Sequence, residues 1–485
     1  MALRSRLAGR GRAATASAFL LLALLFGGGG IPTPMTELVV ELGAVVALIA
    51  WLWIDRPDDT RAAVAMIAVA VLVVALPLLQ LIPLPPGIWQ GLPGRETTVA
   101  ALSLIGEQNS WRPLSLTPSR TASSLLSLGP PILVLLMTAA LPARDRWWPV
   151  ATIAGVGLLS VVVGAGQLAS DSSGLLRFYD KSHEGWLIGF QANRNATVDV
   201  LLIAMLACAA FARRVLGRTA PANPRSRRAR GSDATMRTLG WAGLAIALLM
   251  LGVVLTGSRA GIALSLFVLP IVLAILHNGR AVSRRLLAIG AGLLAVVAAL
   301  GWFALQSVPA LRKVVARFDF AGEFRPELWT DTAFAIGQFW PWGGGMGSFI
   351  PLLNAAERLE VVDPTKPNRA HNDYLEFVLE AGLPGIVVLI AVAAIAGWCF
   401  WRAWRRETLP RIQLLFAGGT AFVIGAHSLA DYPLRSLSLA CLLACAVGML
   451  APPRGILQKS ARRDGHETDG AERSGRRVRG TGRTR

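Results

Sequence analysis

The sequence predicts an all-α fold: a polytopic membrane protein with about 12 transmembrane helices and an outer loop region carrying short helices. Three observations carry this. Of 485 residues 54% are hydrophobic and only 16% charged, where a soluble chain holds roughly a quarter charged residues. Mean hydropathy is +0.53. Apolar runs of about 18–22 residues recur along the chain, each long enough for a hydrocarbon core of about 30 Å. No period-2 alternation points to a β-barrel.

The start, "MALRSRLAGRGRAATASAFLLLALLF", has the look of a signal peptide, but a second apolar run follows at once without a convincing cleavage site. It reads as a first membrane helix with an inner-side N-terminus. The expected spans are 14–31, 36–54, 62–84, 123–141, 149–168, 196–212, 238–256, 260–277, 286–305, 382–400, 412–430 and 436–451. Threaded alternately, they put "PARDRWW", the Arg-rich 213–237 loop, "HNGRAVSRR", "RAWRRETLPR" and the tail on the inner side. Those segments hold most of the Arg, as the positive-inside rule requires. The segments near 85–122, 169–195, 306–373 and 431–435 fall on the outer side.

The formal net charge is +19. The basic residues lie in short loops and a tail, so the charge reads as inner-side anchoring to membrane lipids, and nucleic acid is not an expected partner. The tail 452–485 is Arg- and Gly-rich and reads as disordered, leaving 1–451 as one membrane domain with 306–373 as its largest outer loop. The four cysteines fall in apolar runs without metal-ligand spacing. No outer loop carries an acidic triplet for a divalent cation, and Asp58–Asp59 fall on the inner side, so neither metal nor cofactor is expected.

Four polar islands share the outer side: "FQANRN" (190–195), "TGSRAG" (256–261), the 306–385 segment and "AHSLADYPLR" (426–435). Ionisable groups at membrane depth are costly, so their gathering points to one shared site.

Arg259 stands between two apolar runs joined by almost no loop, and two readings stand: an interfacial Arg reaching lipid phosphate, or an anion clamp, since a guanidinium fork matches phosphate oxygens. Arg325 opens "RPELWTDTAFAIGQF", an expected helix with Leu328, Trp329, Ala333 and Phe334 inward; it reads equally as a solvated loop charge. "PWGGGMGSF" then reads as a re-entry loop and resembles a phosphate loop only loosely, lacking its Lys-Ser/Thr.

His371 is the sharpest candidate. Pro364 and Pro367 precede it, and Gly382 and Pro384 end the helical "NDYLEFVLEA", whose apolar face is expected to be Tyr374, Leu375, Val378 and Leu379. A His at a helix N-terminus faces the positive dipole end, which disfavours imidazolium and suits a general base; a capping, structural role is the other reading. Glu376 and Glu380 read first as partners for outer-side Arg and second as site groups. His427 and Asp431, four residues apart, lack a third metal ligand and read as a structural hydrogen-bonded pair. Arg369, Asn372, Asn193, Asn195 and Arg435 complete the supporting candidates, with Tyr374.

In this order, "GFQANRNA", "TGSRAG", "RPELW…PWGGGMGSF", "RAHNDYLEFVLEAGLPG" and "HSLADYPLRS" resemble the O-antigen ligase and O-antigen polymerase superfamily, over roughly 180–450. The resemblance implies a bacterial inner-membrane glycosyltransferase with both termini cytoplasmic. Its donor is a glycan on undecaprenyl pyrophosphate at the periplasmic face; its acceptor is lipid A-core or a growing glycan. It further implies that Arg259 and Arg325 hold the pyrophosphate and His371 activates the acceptor hydroxyl. Two guanidinium groups would take the role of a metal on the leaving group, and direct displacement predicts inversion at the anomeric carbon. Ligase and repeat-unit polymerase stay open, with transfer to protein ranked lower. A polysaccharide flippase is the rival of another class; it predicts midplane polar groups in paired halves, which this chain lacks.

Overall fold

The computed structural model of the protein describes residues 2–30, 33–54, 63–170, 176–219, 230–277, 325–358, 360 and 367–452. The elements are α1 (Ala2–Phe26), α2 (Pro34–Trp53), α3 (Val64–Leu81), β1 (Pro83–Leu84), α4 (Pro86–Trp89), α5 (Glu96–Leu104), β2 (Arg112–Pro113), α6 (Pro118–Ser127), α7 (Gly129–Ala140), α8 (Trp147–Ala169), α9 (Arg194–Thr219), α10 (Arg230–Leu255) and α11 (Arg259–Leu276). After them come α12 (Arg325–Phe339), α13 (Phe349–Ala356), α14 (Asp373–Arg405), α15 (Arg411–His427), a 3₁₀ turn (Pro433–Arg435) and α16 (Leu437–Gly448).

Helix α9 forms the centre because its stretch from Val200 to Ala210 is apolar all round. Val198 and the residues from Val200 to Ala210 are buried, and α8, α10, α11 and α15 pack around it. Gly261 of α11 shows how close the neighbours come: a Cβ there would stand 2.2 Å from a Val198 methyl. Helix α2 lies at the periphery, with Leu42, Val46 and Trp53 exposed as a lipid-facing surface requires.

Among the described residues, eight spans are long and apolar enough to cross a membrane, with α6 and α7 counted as one. Helices α1, α15 and the shorter α16 join the same bundle. These elements account for eleven of the expected runs; 286–305, Asp58–Asp59, residues 306–324, 359 and 361–366 of the 306–373 loop, and the tail from 453 on lie outside the described residues. The run 123–141 is two helices, α6 and α7, because Pro130 and Pro131 cannot donate the backbone bonds that would join them.

Helix directions alternate, so two ends of the bundle differ in chemistry. One end carries Arg144, Arg146, Arg214, Arg402, Arg405 and Arg411. Buried Arg146 there donates to the carbonyls of Ala139 (3.1 Å), Leu141 (3.1 Å), Met449 (3.0 Å) and Ala451 (2.6 Å), tying the ends of α7 and α16 together. The opposite end carries the expected polar islands.

A small cap covers that opposite end. Its core is Leu328, Ala335, Phe339, Phe349, Leu353 and Leu379. The expected 85–122 loop belongs to it as a short strand pair, with Leu84 opposite Arg112, and α4 and α5. Leu328, Asp331, Thr332, Ala335 and Phe339 form the inward face of α12, whereas Ala333 and Phe334 point outward. That corrects the expected face: the buried set follows the i, i+3, i+4, i+7, i+11 stripe, and Phe334 lies off it.

Candidate active site

The backbone at His371 is set by its successor. Asn372 caps α14, its side-chain oxygen accepting from Tyr374 N (3.0 Å) and Leu375 N (3.1 Å). Its amide donates to Leu429 O at 3.0 Å, anchoring the cap to the segment after α15. His371, one residue earlier, adopts φ 49°, a left-handed conformation uncommon outside glycine. This turn carries the imidazole out of the helix line and against Asp431.

His371 Nδ1 lies 3.2 Å from Asp431 Oδ1, and its ring meets Tyr432 edge-on with centroids 4.9 Å apart. The His371 side chain is 16% exposed and that of Asp431 3%. Asp431 is held from further sides: Tyr432 N donates to Oδ1 at 2.9 Å and Asn195 Nδ2 donates to Oδ2. Asn193 Oδ1 accepts from Asn195 N (2.9 Å), and Asn193 Nδ2 donates to the Tyr432 hydroxyl (3.3 Å). The start of α9, the start of α14 and the 427–432 segment therefore meet at one point. Burial works against the Asp431 charge, but the hydrogen bond and charge of His371, with His427 and Arg325 nearby, outweigh it and hold the carboxyl at about 2. Burial, with the Asp431 charge, pushes the Tyr432 phenol up to about 12.

A second layer lies directly behind. Glu376 and Glu380 are fully buried, and Asp373 nearly so. Arg435 reaches all three, at 3.6 Å to Asp373, 3.3 Å to Glu376 and 2.9 Å to Glu380. Arg369 pairs with Glu376 at 2.9 Å, whose other oxygen accepts from Ala370 N at 3.0 Å. Burial opposes the Arg435 charge, yet the three carboxylates raise its pKa above the ordinary value. Here the structure corrects the expected face of α14. The buried face is polar, formed by Asp373, Glu376 and Glu380 with Leu379, while Tyr374, Leu375 and Val378 are half-buried. In a membrane setting the charged side turns inward, where its partners are. Tyr374 instead donates its hydroxyl to Gly425 O at 2.8 Å.

The Gly-rich turn packs against α14 and is not arranged as a phosphate cradle. Its amides are spent on the protein: Gly344 N on Leu379 O (3.0 Å), Gly345 N on Glu380 O (2.8 Å) and Met346 N on Gln80 Oε1 (2.9 Å). It seats against a break in α14 at Gly382 (φ 57°, ψ −150°), where a Cβ would come within 2.2 Å of Pro341 O.

His427 and Asp431 are joined through the backbone, Asp431 N donating to His427 O at 2.9 Å, but their side chains take other partners. His427 Nδ1 bonds Asp199 Oδ1 at 2.7 Å inside the bundle, and Asp431 serves His371. Four-residue spacing at a helix end does not aim both side chains alike, because α15 ends at His427.

Arg325 begins α12; its charge reaches Asp431, and Trp329 one turn on donates to Ala370 O at 2.9 Å, beside His371. Arg259 begins α11 after Ser258, whose hydroxyl caps Gly261 N at 3.3 Å. Its turn is fixed to the start of α9 by Trp186, which lies over Gly257 and stacks with Arg194 at 4.8 Å. The helix N-termini at Arg194, Arg259, Arg325 and Asp373 thus share this end, and such termini favour anions. Asp199, Asp373, Tyr432 and Arg194 are the residues missed as site candidates. Asp199 carried a signal, a lone acid inside the run 196–212; the others stood in the quoted motifs without a spacing that singled them out.

The fold and site define a polytopic helical membrane protein with a buried, charge-paired polar cluster at one end. The family model described as O-antigen ligase matches residues 244–390, a segment that includes Arg259, Arg325 and His371. This match supports the O-antigen ligase and polymerase superfamily, and with it an O-antigen ligase-like function in general. A search of curated proteins finds no match.

Proposed function

We propose that the chain is an inner-membrane glycosyltransferase that moves a glycan from undecaprenyl pyrophosphate to an acceptor hydroxyl at the periplasmic face. The observation that carries this is the His371–Asp431 contact, at 3.2 Å, at the end of the bundle that carries the polar islands. With Nδ1–H given to Asp431, the lone pair sits on Nε2, the nitrogen that takes the acceptor proton. Asp431 holds the ring and stabilises the imidazolium that forms. Arg325 and Arg259 hold the pyrophosphate and the charge it gains as the glycosidic bond breaks. The Arg-rich end faces the cytoplasm and anionic lipid, and both termini lie there. The membrane domain extends to residue 451 and the basic tail follows. No metal is assigned a role.

The acceptor is lipid A-core in a ligase and the growing glycan in a repeat-unit polymerase. The test is sugar transfer in membranes containing a lipid-linked repeat unit and each acceptor, with EDTA, for wild type and His371→Ala. Labelled lipid A-core identifies a ligase, and a lengthened lipid-linked glycan a polymerase. Wild-type transfer by folded His371→Ala rejects the base assignment, and loss of transfer in EDTA rejects the role given to the two Arg residues.

A further inference from the structure

Two spans mark the membrane boundary at the end that carries the polar islands. Helix α3 ends at Leu81; there Gln80 turns inward and donates to Glu380 O (3.0 Å), while Leu79 and Ile82 stay exposed. On α14 the membrane-length run starts past the break at Gly382, where Leu383 is exposed and its N donates to Pro341 O at 2.8 Å. That bond sets the exposed Trp340 and Trp342 at the level where the span begins. Tryptophan is enriched where a membrane meets water.

The segment that leaves α3 carries apolar residues with nothing of the described chain over them. None of the nine residues of α5 is buried, among the described residues. Its Val99, Leu102 and Leu104, continued by Ile105, are spread around the helix instead of along one face. Leu104 is 86% exposed, Ile105 70%, and Trp111 beyond them 64%. A helix this short is marginal in water, and one that is apolar all round belongs in a buried setting. The base of the segment is firm. Buried Trp89 donates to Ser110 O (3.0 Å), Gln90 donates to Gln108 O (2.6 Å), and Gly94 lies against the Phe339 ring, next to Trp340.

We propose that α5 and the turn to Trp111 lie in the membrane interface, with Leu104 and Ile105 reaching the acyl chains of the leaflet on this side. The patch continues the lipid-facing surface of α3, from Leu79 and Ile82 through the exposed Ile88. Exposed apolar patches of this kind mark membrane contacts. The exposed charges from 86 to 111 are Glu96 and Glu107, and Arg95 is buried. Binding is therefore apolar and needs no anionic headgroup. From Trp111 the chain runs through β2 to Leu116, whose N donates to Gly344 O at 2.9 Å. The anchor thus holds the Gly-rich turn and the cap at a fixed depth. The inference stands apart from the reaction proposed above.

The experiment places a nitroxide on the full chain in phosphatidylcholine nanodiscs that hold a single copy each. Label sites are Leu104→Cys, Ile82→Cys as the lipid-facing reference and Lys181→Cys, at an exposed loop residue, as the water-facing one. Wild type, whose four cysteines are buried or half-buried, gives the labelling background. Collision rates are measured with oxygen, which concentrates in lipid, and with a water-soluble nickel chelate. Expected for Leu104→Cys is an oxygen-to-nickel ratio several-fold above that of Lys181→Cys and close to that of Ile82→Cys, unchanged by phosphatidylglycerol or high salt. A ratio matching Lys181→Cys overturns the proposal, as does one that rises only with phosphatidylglycerol. Shielding from both reagents overturns it too, because protein then covers the helix. Should the labelled variant not fold, wild type with a photoactivatable phosphatidylcholine decides: adducts on 97–111 support the proposal, and adducts confined to the bundle helices overturn it.

Discussion

His371 and Asp431 are 60 residues apart in the chain and 3.2 Å apart in space. Asp431 is immobilised by Tyr432 N and Asn195, and His371 by the left-handed turn before the Asn372 cap. An imidazole whose partner carboxylate is itself fixed has its ring direction set before any ligand arrives. His371→Ala is expected to lower transfer about 10²–10⁴-fold, and Asp431→Asn to lower kcat while the protein still purifies as a monodisperse species. Initial rates over a range of acceptor concentrations check this.

The Asp431 carboxyl also predicts a pH window. Its pKa lies at about 2, below the usual 3.8. A depressed carboxylate contributes stability that is present above 3.8 and lost as pH falls toward 2. Thermal melting of wild type and Asp431→Asn in detergent should therefore converge as pH falls from about 4 toward 2. A difference that persists undiminished at pH 2 would show another group to be responsible.

Arg435 binds three buried carboxylates, so its removal leaves uncompensated charge. Arg435→Ala is expected to cost about 3–5 kcal/mol, enough to unfold a marginal protein. Arg369→Ala removes a single ion pair with Glu376, which Arg435 still contacts at 3.3 Å, and should cost less. Yield and melting temperature of the purified variants rank the two.

Gly382 holds the break in α14 against the turn at Pro341–Gly343. Gly382→Ala combines an unfavourable φ of 57° with a 2.2 Å approach to Pro341 O, for a loss of at least about 1–3 kcal/mol. The cap should loosen first, so hydrogen exchange should rise at 340–349 before it rises in α9. Uniform exchange in both segments would reject the cap as a separate unit.

Arg259→Ala and Arg325→Ala are each expected to lower transfer about 10²–10³-fold if they meet the pyrophosphate in the transition state. Lys at either position should recover only part, since an ammonium is a point charge without the planar fork. Rates for the Ala and Lys forms of both positions test this, and full activity of Arg259→Ala would remove that residue from the site.

Alone, the sequence determined the class, the helix series and the neighbourhood of the polar cluster. Apolar runs of membrane length cannot be hidden in a water-soluble fold, and Arg loops distributed by alternate threading mark one end of the bundle. The islands at 190–195, 256–261 and 426–435 follow from the cost of polar groups at membrane depth. Only the tertiary structure decided the pairing. His427 takes Asp199 and leaves Asp431 to His371; Arg435 joins three acids of α14; the glycine turn locks onto Gly382. Spacing along one helix orders side chains on that helix, but these partners lie on different helices. Their choice depends on helix rotation and close packing, and both are set by the whole bundle.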